Sequence, residues 1–125
     1  MGFRDWWQGK PVGAGRSSQW PAVRAKHLKE NSFCLACGRR EKLEVHHIVP
    51  FHKAPERELD PTNLMTLCEG PTNCHFLFGH LGDWRIENRY VRADAAEFNR
   101  RRTEARILDK FEEAARNSTE EKPKE

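Results

Sequence analysis

Two cysteine pairs bracket the middle of this 125-residue chain and limit what it can become. Two residues separate Cys34 from Cys37, five separate Cys68 from Cys74, and about thirty lie between the pairs. The tight first spacing lets both sulfurs face one ion, and Gly38 behind it permits the backbone to twist away. The second pair is looser than is usual for such a site. Hydrophobic residues make up 37% of the chain and charged residues 33%, so the core is small. A structural metal is a common staple for a core of that size. Four thiolates in tetrahedral geometry form a closed site, and zinc is the ion that suits it. Disulfides, the other use of four cysteines, belong to oxidising compartments and would allow three pairings here. The first residues, Met1 to Trp7, lack the charged start and apolar core of a signal peptide, and no apolar run is long enough to cross a bilayer. The expectation is therefore a cytoplasmic protein with reduced, metal-bound cysteines and no membrane contact.

Between the pairs lies Leu43-Glu44-Val45-His46-His47-Ile48-Val49-Pro50. It reads as a strand over 43–48 that stops at a proline, so adjacent side chains leave on opposite faces. His46 and His47 must diverge, which suits two different roles. Residues 50–61 read as a loop, broken by Pro50, Pro55 and Pro61, and 63–68 as a second strand leading into Cys68. Cys74 to Phe78 begins a short helix that Gly79 or Gly82 should end.

The flanks are plainer. Residues 1–19 read as an irregular arm in which Trp6, Trp7 and Trp20 either stack on bases or pack on the core, with Arg4, Lys10 and Arg16 near phosphates. Pro21 suits the first turn of a helix over 21–30, with Val23, His27 and Leu28 facing inward. Residues 20–92 make the core domain, with 83–92 left ambiguous. A long helix runs over 93–116, with Asp94 in its first turn and Phe98, Ala105, Leu108, Phe111 and Ala115 near helical spacing, and 117–125 are a frayed tail. Arg39, Arg40, Arg100, Arg101 and Arg102 are the candidate DNA contacts. The three in the helix are balanced against the reading of a solvated face paired with Glu97, Glu104 and Asp109. A net charge of +3 is compatible with a polyanionic partner without requiring one.

The ordered set Val45-His46-His47-Ile48-Val49-Pro50-Phe51, Asp60-Pro61-Thr62-Asn63-Leu64-Met65-Thr66-Leu67-Cys68 and Cys74-His75 resembles the HNH endonuclease family. It is most similar to the small standalone members from phages and bacteria that carry a cysteine-held zinc, and the resemblance covers about residues 20–85. It implies an α+β fold: a ββα-metal (His-Me) finger stapled by zinc, here flanked by an N-terminal helix and a long C-terminal helix. By position it implies that His46 and His75 bind the catalytic ion, that His47 activates water, and that Asn63 braces the loop between the strands and helps orient the base. The ion would be Mg²⁺ or another divalent cation such as Mn²⁺, Ni²⁺ or Zn²⁺. Some family members add a third histidine one turn beyond the last; here that position is Gly79. His80 lies five residues after His75, about 140° round an ideal helix, so it reaches the ion only if Gly79 distorts the helix end. His80 and His52 are otherwise candidate phosphate contacts.

The resemblance implies hydrolysis of DNA phosphodiesters in a bacterial or phage-infected cell, with phage packaging proteins as partners. The rival expectation is an inactive zinc-ribbon DNA-binding module or packaging adaptor.

Overall fold

β1 (Leu43–His47) and β2 (Leu64–Cys68) pair antiparallel in a computed structural model that describes residues 16–120. The register sets Leu43 opposite Cys68, Val45 opposite Thr66, and His47 opposite Leu64. All five residues of β2 are buried, so this strand is the floor of the molecule. The histidines stand at the end of β1 next to the long loop, and the sulfurs gather at the other end, at Cys68. The sheet thus separates two centres along its length.

The first cysteine pair is tied to β2 by Leu35 N donating to Thr66 O (3.1 Å), while the Thr66 hydroxyl donates to Asn31 O (2.9 Å). Gly38 takes a φ of +80°, which a residue with a Cβ adopts at a cost, and its N–H closes the turn on Cys34 O. Cys34, Cys68 and Cys74 are three of the eight residues of the main buried cluster, with Ala36, Met65, Leu67, Val91 and Ala95. The cysteines are therefore the core itself rather than an appendage to it. That answers the expectation of a small, stapled interior.

α1 (Trp20–Glu30) carries Pro21 in its first turn and ends where Asn31 N donates to His27 O. None of its residues is fully buried. It lies across β1, with Arg24 Nε on Glu44 Oε1 at 3.0 Å. Two short 3₁₀ turns, Pro55–Arg57 and Pro61–Asn63, break the loop between the strands, each started by a proline. After Cys74 the chain makes a π-helical turn, His75–Gly79, in place of the expected α-helical one.

α2 (Val91–Glu120) begins three residues before Asp94. The Asn88 side chain explains the earlier start: Oδ1 accepts from Tyr90 N (3.0 Å), and Nδ2 donates to Phe78 O (2.8 Å) and Asp94 Oδ2 (2.7 Å). The helix also runs past 116, where a frayed tail was expected. Asn117, Ser118 and Thr119 are weaker helix formers than Glu, Lys or Arg, and the last turn is held by the Thr119 hydroxyl donating to Ala115 O at 3.0 Å. Only its start is packed: Val91 and Ala95 are buried and Phe98 stacks on Phe78 (5.1 Å), whereas Leu108 and Phe111 are 61% and 69% exposed. The apolar spacing beyond Phe98 is thus no core contact among the described residues. Of the arm, residues 1–15, with Trp6, Trp7, Arg4 and Lys10, lie outside the described residues.

Candidate functional site

The four thiols are free and unpaired by disulfides. Their sulfurs all lie within 4.8 Å of one another, and Cys37 Sγ and Cys68 Sγ are 3.7 Å apart. A tetrahedral zinc with bonds near 2.3 Å sets its sulfurs about 3.8 Å apart, so the set fits that ion. The donor chemistry agrees. A hydrogen bond from Cys74 holds the Cys34 thiol down to about 4, and the same bond pushes the Cys74 thiol up. Sulfurs packed this closely cannot all ionise without a cation between them. Thr72 adds a hydroxyl 3.7 Å from Cys37 Sγ and 3.4 Å from Cys68 Sγ.

His46 and His47 diverge, as two consecutive strand residues must. The His46 ring meets His75 (4.9 Å between centroids) and His80 (5.1 Å), and one nitrogen from each of the three lies within 4.8 Å of the others. The expected separation of His75 and His80 round a helix does not occur, because the turn between them is π-type. Its wider loop, closed by bonding from i to i+5, brings the fifth residue back over the first. Gly79 makes the close approach possible: a Cβ there would lie 3.0 Å from His46 Cε1 and 3.2 Å from His75 Cδ2.

Hydrogen bonds assign the nitrogens. His75 Nδ1 donates to Glu69 Oε2 (3.1 Å) and His80 Nδ1 donates to Ile86 O (2.8 Å), so both rings keep Nε2 as the lone-pair nitrogen. His46 Nε2 is buried with no hydrogen-bond partner. Burial, with its histidine neighbours, pushes that ring down to about 3, so it is neutral. Three imidazole donors, two of them oriented by a carboxylate or a carbonyl, form a set that suits a divalent metal.

His47 is held the other way round. Its Nε2 donates to Glu58 O (2.9 Å), which leaves the lone pair on Nδ1. Burial lowers its pKa from the ordinary value, against the effect of the Glu58 carbonyl. Trp20 stacks on it at 4.7 Å, the packing role among the two expected for that tryptophan. Asn63, fully buried, closes the intervening loop: it exchanges both amide bonds with Val49 and donates to Arg57 O (3.3 Å). The Glu58 carbonyl sits in the loop that Asn63 closes.

An open cleft of about 430 Å³ is lined by His46, His47, His75, His80, Trp84 and Arg16, among others. His52 also lines it, on the exposed loop after Pro50. Arg16 lies over Phe51 (4.8 Å) and Trp20 (5.5 Å). The candidate DNA-contacting arginines are elsewhere. Arg100 and Arg101 pair with Glu97, and Arg100 also with Glu104, as in the solvated-face reading. Arg39, Arg40 and Arg102 gather beside the cysteines instead. Sequence reasoning missed Glu69, Ile86, Glu58 and Trp84. Three act through a single hydrogen bond made across an irregular turn or loop that no periodic pattern announces. Glu69, adjacent to Cys68, is the one that proximity to the motif could have flagged.

This architecture, a two-stranded antiparallel hairpin followed by a helical turn and stapled by four cysteines, defines the ββα-metal finger class. Residues 34–76 match the family model described as HNH endonuclease, and a chain carrying this domain is consistent with a member of that family. No curated protein and no solved structure matches the chain. The family carries nuclease activity with metal binding, and no helix among the described residues is long and apolar enough to cross a membrane.

Proposed function

We propose that this protein is a metal-dependent endonuclease that hydrolyses DNA phosphodiester bonds, and that His46, His75 and His80 hold its catalytic ion while Cys34, Cys37, Cys68 and Cys74 hold a structural zinc. The observation that carries the reading is the divergence of the two strand histidines. His46 brings one ring nitrogen within 4.8 Å of one from His75 and one from His80, and His47 is turned away and fixed through Nε2 to Glu58 O. A divalent cation at the three-histidine site, Mg²⁺ or a transition metal, would polarise a phosphoryl oxygen and stabilise the leaving oxygen.

His47 then accepts the proton of the attacking water at Nδ1. Glu58 O fixes its ring, Trp20 backs it, and Asn63 keeps that part of the loop in place. His80 joins the ligand set because the π-turn presents it there. Arg16 brings positive charge to the same cleft, where the phosphate must lie.

Plasmid nicking tests the reading. The wild-type chain should nick supercoiled DNA with added divalent metal and stop with chelator. His47→Ala should lower the rate by about 10²- to 10⁴-fold, the range for a general base, with DNA affinity and zinc content unchanged. A fully active His47→Ala protein, free of contaminating nuclease, would refute it.

A further inference from the structure

A second open cleft, of about 450 Å³, shares no lining residue with the histidine cleft. Its walls are the turn after the first cysteine pair and one face of α2. Arg39, Arg40, Arg102 and Arg106 line it, and Glu41 is its one acidic residue. The chain is built to hold two of these arginines in place. Arg39 lies flat over Gly70, where a Cβ would come within 3.2 Å of its Cδ and Nε. Arg102 lies over Gly38, where a Cβ would come within 3.0 Å of Nη2, and Nη2 donates to Asn99 Oδ1 at 2.6 Å. The Nε atoms of both are buried with no hydrogen-bond partner. No carboxylate pairs with any of the four arginines among the described residues, in contrast to Arg100 and Arg101 on the same helix.

Unneutralised guanidiniums packed at one spot repel one another, so something of opposite charge belongs there. The zinc site supplies part of it, since Cys37 lines the cleft and four thiolates around a divalent ion keep a double negative charge. Set against that charge and the Glu41 carboxylate, the four arginines still leave a positive surplus on an open surface. Planar guanidiniums match phosphate oxygens through paired N–H donors. We infer that this cleft is a second phosphate site, which grips the DNA backbone away from the bond being cut. The inference rests on the reading that DNA is the substrate. The zinc staple thereby gains a second role. Cys37-Gly38-Arg39-Arg40 is both knuckle and clamp, so the fold that seats the zinc also seats the phosphate.

The test uses the zinc-loaded full chain and a labelled DNA duplex, without added catalytic metal, and measures affinity against salt concentration. Arg40 and Arg106 are exposed, so Arg40→Gln/Arg106→Gln leaves the fold intact, and zinc content verifies this. Each phosphate contact contributes about 0.9 to the slope of log affinity against log salt. The slope of the double variant should fall by about 2. Its nicking should show a raised KM with kcat unchanged. Arg100→Gln/Arg101→Gln should keep the wild-type slope. Equal slopes for wild type and Arg40→Gln/Arg106→Gln would overturn the clamp while leaving the nuclease reading standing. Absence of DNA binding by the wild type would remove both. Phosphate binding that is lost in Arg40→Gln/Arg106→Gln while the DNA salt slope stays at the wild-type value would make the cleft a free-anion site and also overturn the clamp.

Discussion

Asn63 holds Val49 by both ends of its amide: Oδ1 accepts from Val49 N at 2.8 Å, and Nδ2 donates to Val49 O at 3.0 Å. With a third bond to Arg57 O, a single side chain closes the loop whose Glu58 carbonyl fixes His47. Asn63→Ala should orphan these three part-buried backbone groups and cost about 3 kcal/mol, at the low end of the roughly 1–3 kcal/mol that each unsatisfied buried group costs. Nicking should fall further than the unfolded fraction explains, because His47 loses its orientation. Chemical denaturation and single-turnover nicking on the same samples separate the two effects. Loss of stability with normal turnover per folded molecule would deny Asn63 any part in aiming the base.

Glu69 is exposed, yet it fixes the tautomer of His75. Partners of this kind are worth about 10- to 100-fold in metal affinity. Glu69→Ala should weaken binding of the catalytic metal by that factor while zinc stays in the four-cysteine site. Titration of the metal requirement for nicking, with zinc measured separately, checks it. A simultaneous loss of zinc would show that the substitution damages the fold rather than the centre.

The cysteines make up much of the core, so zinc removal should unfold the chain rather than merely inactivate it. A structural zinc of this type supplies on the order of 10 kcal/mol of apparent folding free energy. Far-UV circular dichroism during chelation should lose most of its helical signal and recover it on zinc addition. An unchanged spectrum after complete removal would place the stability elsewhere.

The pH dependence follows from His47. A base must be neutral to accept a proton, and a ring whose pKa lies below 6.5 stays neutral to lower pH. The acidic limb of the nicking profile should therefore have its midpoint below 6.5, not above it. His46, at about 3 in the fold against 6.5 when exposed, works in the same direction on stability. The unfolded chain binds the extra proton first, so the metal-free protein loses stability as pH falls from about 6.5 towards 3. A rate midpoint above 6.5 would mean that a group other than His47 governs the proton transfer.

The hairpin, the four-cysteine grouping and the meeting of His46 with His75 were legible in the sequence because each rests on local spacing. Alternation along a strand separates His46 from His47 whatever the tertiary fold. A two-residue gap brings Cys34 to Cys37, and a long loop between two strands needs a brace such as Asn63. The partners of His75, His80 and His47 were not legible: Glu69 and Ile86 lie six residues from their rings and Glu58 eleven, but irregular turns with no period of their own bring them there. His80 was open between metal and phosphate contact for a different reason. The 3.6-residue period was applied to a turn that does not follow it. The arginines divided on tertiary grounds as well. Arg100 and Arg101 find glutamates within their own helix, and Arg102 turns across to Gly38.

A π-turn is an α-turn with one residue too many. His75–Gly79 can thus be regarded as an insertion, with the exposed Leu77 the natural candidate for the extra residue. Its deletion would leave His80 four positions after His75, the spacing at which a regular α-helix stacks two side chains on one face. A chain lacking Leu77 should keep its catalytic metal affinity within about tenfold, although in most helices a deletion turns every later side chain to a new face. Isothermal titration of the catalytic metal into that variant checks this. The centre would then tolerate two loop lengths, which is how one finger can change its spacing without losing its ion.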